Sequence, residues 1–71
     1  MTELKTKIVE FRREQNITQG ELADRVGVRP ETIVRLERGQ YNPSLKRAYD
    51  IANVFGVPIE DVFQFSEVED I

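Results

Sequence analysis

The side chains of this 71-residue chain that could do chemistry form a restricted set. There is no histidine and no cysteine, which excludes imidazole acid–base catalysis, His- or Cys-based metal sites and disulfide staples. Ser44 and Ser66 form no visible nucleophile–base pair, and the scattered glycines make no phosphate-cradling loop. What remains is a chemistry of recognition. Arg29, Arg35 and Arg38 cluster within ten residues, and a guanidinium offers paired donors to a phosphate or a guanine edge. Residues 1–58 hold all ten bases against eight acids, whereas 59–71 hold no base and five acids (Glu60, Asp61, Glu67, Glu69, Asp70). The net charge of −3 therefore hides a mildly basic body and an acidic tail, 67–71, kept away from any polyanion.

The elements that must position these arginines lie between Gln19 and Gly39. Ala23 sits mid-way along one short helix, where a small side chain lets a second helix cross closely. Gly27, four residues on, is where the chain must turn, and glycine adopts positive φ without a Cβ penalty. Val28 plugs the corner, and Ile33 and Leu36 pack from the second helix back onto Leu22, Ala23 and Val26. Thr18-Gln19-Gly20-Glu21 has the form of a capping box, leaving Gln19 beside the partly positive helix start. Pro30 suits the first position of the next helix and keeps Arg29 out of it. Gly20 costs helix propensity and suggests close approach to a neighbour.

Around this unit the spacing of Leu4, Ile8 and Phe11 predicts an amphipathic helix from Leu4 to Gln15, after three loose residues. Lys5, Lys7, Arg12 and Arg13 lie mostly off its apolar stripe, as a solvated face would. Asn16 ends it and Ile17 enters the core. Ser44 caps a fourth helix over Leu45–Phe55, with Leu45, Ala48, Ile51, Ala52 and Phe55 on a broad apolar face and Gly56 as its stop. Pro58 opens a short fifth helix, Ile59–Val62. Val62-Phe63-Gln64-Phe65-Ser66 is rich in strand-favouring residues, but a lone strand needs a partner, from the N-terminus or from another copy. Two aromatics near the end of so small a domain point to an interface; the alternative is that Phe63 closes the monomer core and Phe65 frays. A chain of this size buries only about 60% of its unfolded surface, which also favours dimerisation. No apolar run is long enough for a membrane span, and no signal peptide is recognisable, so a cytoplasmic location is expected.

Taken together, ITQGELADRVGV, ETIVRLERG, YNPSL and GVPIEDVF resemble the helix-turn-helix regulators of the xenobiotic-response-element and Cro type, over about residues 4–65. The run YNPSL followed by IEDVFQF is especially similar to a small dimeric subgroup typified by the bacterial cytolysin repressor. The resemblance implies an all-α, five-helix lambda-repressor-like domain over 1–71, with the motif at about 19–39 and a short C-terminal β-strand at a dimer interface. It implies a bacterial, archaeal or phage origin and a homodimer that binds double-stranded operator DNA, with no cofactor or metal.

In such folds the second motif helix enters the major groove and the first lies across the backbone. Carried over by position, Gln19 matches a glutamine that bonds a phosphate and braces the recognition helix. Glu31, Thr32 and Arg35 match base-facing positions; Arg35 suits guanine, and Thr32 a hydroxyl contact or a thymine methyl. Arg29, Arg38, Gln40, Tyr41 and Asn42 suit phosphate contacts, which set register, although Tyr41 suits packing equally. Ile59, Val62, Phe63 and Phe65 (segment 59–66) would form the dimer interface. Two departures stand out: Pro30 donates nothing where relatives carry a polar residue, and Glu31 is negative in a phosphate-lined groove. Glu31 either accepts from a cytosine amine, pairs with Arg35, or only supports the helix start. Val34, often polar in relatives, meets a thymine methyl or lies exposed. The competing readings are a protein-association module and the antitoxin of a toxin–antitoxin pair.

Overall fold

The computed structural model describes residues 2–67. Along the chain run β1 (Thr2–Thr6), α1 (Ile8–Gln15), α2 (Gln19–Val26), α3 (Pro30–Glu37), α4 (Leu45–Phe55), α5 (Ile59–Val62) and β2 (Phe63–Glu67). The expected acidic tail lies outside the described residues except for Glu67, where β2 ends.

Local signals set most of these boundaries. Thr18 Oγ1 accepts from the Glu21 N–H at 3.0 Å and the Glu21 carboxylate accepts from the Thr18 N–H at 3.2 Å, closing the capping box. Asn16, Gly27 and Gly56 end α1, α2 and α4 in the left-handed conformation, and Ser44 caps α4 through the Arg47 N–H at 3.1 Å. The core gathers one stripe from each helix, including Ile8, Leu22, Ile33, Leu36, Ile51 and Val62, all fully buried. Phe11 stacks on Phe55, ring centroids 5.4 Å apart. Leu45 departs from the expected apolar face of α4: it is 79% exposed, because the first turn of the helix reaches past the edge of the core.

The N-terminus corrects two expectations, that Thr2 and Glu3 are loose and that a helix starts at Leu4; Met1 lies outside the described residues. Thr2–Thr6 is a strand, antiparallel to β2 in the register Thr2↔Glu67, Leu4↔Phe65 and Thr6↔Phe63, and α1 starts only at Ile8. The cause is the unpaired backbone of β2, which takes its partner from the other end of the same chain. The Lys7 N–H continues this pairing by donating to the Val62 carbonyl at 2.8 Å. No side-chain cap marks the helix start at Lys7. Leu4 still packs against the core, now from the sheet.

Candidate nucleic-acid interface

α2 and α3 cross where Ala23 is buried. Gly27 turns the chain at φ 72°, and the Val28 N–H returns to the Ala23 carbonyl at 2.9 Å. Pro30 opens α3 with Arg29 extended before it. With Ile33 and Leu36 anchored in the core, the helical repeat turns Glu31, Arg35 and Arg38 outward, all exposed, and leaves Thr32 and Val34 half-buried. Among the described residues the ion pairs are Arg12–Glu37 and Lys46–Asp50, so Glu31 and Arg35 are not paired with each other and both reach solvent. After α3 the Gln40 N–H bonds the Arg35 carbonyl at 3.0 Å. Gly39 takes φ 70°, and a methyl group there would lie 3.6 Å from the Leu4 carbonyl. Gln40, Tyr41 and Asn42 follow as an exposed loop; Tyr41 is 40% exposed.

Gln19 is hydrogen-bonded to Glu37, the last residue of α3. Its Nε2 donates to both oxygens of Glu37, at 3.2 and 3.3 Å. Glu37 also binds a residue that the charge pattern assigned to solvent. Arg12 donates from Nε to Oε1 at 3.0 Å and from Nη2 to Oε2 at 3.1 Å, while its Nη1 reaches the Ile17 carbonyl at 3.1 Å. The side chains are only 14% and 6% exposed. Each partner carried a signal that the charge pattern alone obscures. Arg12 extends the Ile8–Phe11 stripe, and Glu37 the Ile33–Leu36 stripe, each four residues beyond the first member. That spacing places each charge at the edge of an apolar face, but only the fold brings the two faces together.

The residues expected at a dimer interface divide. Val62 is corrected: it is fully buried in the chain's own core. Phe63 closes that core at 6% exposure and also lines the groove beside it. Ile59 is half-buried and Phe65 is 72% exposed. Phe65, Ile59 and Phe63 line a mostly apolar groove of about 430 Å³ together with Leu4, Leu45 and Ala48.

The glycine corner, the buried inner stripe of α3 and its polar outer face define a helix-turn-helix domain. The helix-turn-helix family model (HTH_3) matches residues 8–62, and the chain belongs to this family. It is 64% identical over 66 residues to an HTH-type transcriptional regulator of Archaeoglobus fulgidus, covering 93% of each chain. To the regulator MJ0272 of Methanocaldococcus jannaschii it is 46% identical, covering 93% of this chain and all of that one. It is 34% identical to the phage CTXphi transcriptional repressor RstR of Vibrio cholerae, over 87% of this chain and 56% of the repressor. Among solved structures it is similar to the clp gene regulator ClgR of Corynebacterium glutamicum, with TM-score 0.72 and 28% identity, over 76% of this chain and 57% of ClgR. No helix among the described residues is long and apolar enough to cross a membrane.

Proposed function

We propose that this chain is a sequence-specific regulator of transcription that binds double-stranded DNA as a homodimer and represses. The observation that carries this reading is the outer face of α3, where Arg35 and Glu31 are exposed and, among the described residues, unpaired on a helix anchored by Ile33 and Leu36. α3 lies in the major groove. Arg35 pairs with guanine O6 and N7, Thr32 and Val34 meet neighbouring base edges, and Glu31 accepts from a cytosine N4 amine on an adjacent step. Gln19, Arg29, Arg38, Gln40, Tyr41 and Asn42 bind phosphates and fix the register.

The apolar groove, with Leu45 and Phe65 standing out of it, is the surface on which a second copy docks. The two-fold axis then sets the recognition helices about 34 Å apart, for half-sites one helical turn apart. Repression is the sign favoured by similarity to RstR, a protein described as a repressor.

Selection of bound sites from random duplex DNA, repeated with Arg35→Ala, tests this. The expected result is a short two-fold symmetric site, with the variant losing preference at one symmetric pair of positions. No enrichment from a folded, dimeric sample would overturn the regulator reading in favour of protein association.

A further inference from the structure

Glu37 has no part in the contacts proposed above, yet its carboxylate is the junction of α1, α2 and α3. Burying a carboxylate is costly unless it is paired, and Arg12 meets that need by itself, one nitrogen on each oxygen. The third Arg12 bond, to the Ile17 carbonyl, pins the guanidinium to the turn before α2. With both Glu37 oxygens already engaged, the further bond from Gln19 does more for the glutamine than for the glutamate.

A glutamine amide has one end that only accepts and one that only donates. A phosphate oxygen accepts, so Gln19 can bind it only through an N–H. Glu37 repels the amide oxygen and attracts Nε2, which settles the flip of the amide. Nε2 carries two N–H groups, so one shared between the carboxylate oxygens leaves the other for a further acceptor. Arg12 balances the charge, so the carboxylate does not repel a nearby phosphate.

We propose that Glu37, held by Arg12, is a positioning residue for DNA: it orients the Gln19 amide to present its donor to a phosphate, and ties that contact to the end of α3. The inference rests on the DNA-binding reading.

The test is a double-mutant cycle of Gln19→Ala and Glu37→Gln. Binding to a random-sequence duplex at low ionic strength is measured, since phosphate contacts are independent of sequence, and thermal unfolding corrects for the folded fraction. A glutamine at 37 accepts or donates and no longer selects the flip. Gln19→Ala should weaken binding roughly tenfold beside Glu37, the size of one charge-assisted hydrogen bond, and less than about twofold beside Gln at that position. Equal losses in both backgrounds would make Glu37 purely structural and overturn the proposal. No duplex binding by the unmodified chain would instead remove the DNA-binding reading beneath it.

Should Glu37→Gln not fold, the side-chain amide protons of Gln19 in the unmodified chain decide, assigned by their absence in Gln19→Ala. On adding duplex one proton should shift and the other stay. Movement of both, or of neither, would overturn the proposal.

Discussion

A carboxylate beneath a helical core is tolerable because its partner is fixed from two sides. Arg12 holds both Glu37 oxygens and the Ile17 carbonyl. Removing one member strands the other charge away from water. Arg12→Ala should therefore cost about 3 kcal/mol, read as a lower midpoint in denaturant titrations. Arg12→Met combined with Glu37→Leu should restore most of that stability, because well-packed apolar pairs replace buried ion pairs at little cost. On the outer face the expected pattern differs. Arg35→Ala should cost about 1–3 kcal/mol at one base position. Arg38→Ala should weaken all sequences alike and lower the salt dependence by about one counterion; titrations at several salt concentrations separate the two. The outward positions of α3 were legible because Ile33 and Leu36 fix which side faces inward. The Arg12–Glu37 pair was not, since each residue alone reads as a solvated charge and only the fold brings their helices together.

At the scale of elements, legibility follows the range of the signal. The capping box, Gly27, Pro30, Ser44 and Gly56 each act within a turn of the residue that they constrain; α2 and α4 begin and end, and α3 begins, where those residues fall. β1 has no such marker. Its pairing joins Thr2 to Glu67, and Leu4 continues a helical stripe as well as it fills a strand. The glycines separate by the same logic. Gly27 has φ 72°, and a methyl group added there would meet nothing within 4 Å, so Gly27→Ala should lose about 1 kcal/mol from backbone conformation alone. Gly20 lies inside α2, and a methyl group there would only approach Thr18 Oγ1 at 3.9 Å, so the close approach suggested by the sequence is not realised among the described residues. Gly20→Ala should gain about 0.5–1 kcal/mol. Thermal unfolding of the two variants checks both signs.

Across the whole molecule, Phe63 and Phe65 have parallel histories in the sequence and opposite positions in the structure. They are two residues apart on β2, yet Phe63 is buried and Phe65 is 72% exposed. Phe63→Ala should unfold the chain or cost about 3–5 kcal/mol, because it leaves a cavity between α4, α5 and the sheet. Phe65→Glu removes no core packing and should leave thermal unfolding of the monomer nearly unchanged. What it should remove is association: a carboxylate in the apolar groove would be desolvated by a second copy with no partner to balance it. Binding to a symmetric site draws on two recognition helices held at one spacing, so DNA affinity should fall together with the dimer. Sedimentation and DNA titration of Phe65→Glu measure both. A variant that stayed dimeric would move the interface off this groove. One that became monomeric but bound the symmetric site as tightly as before would detach DNA recognition from dimerisation.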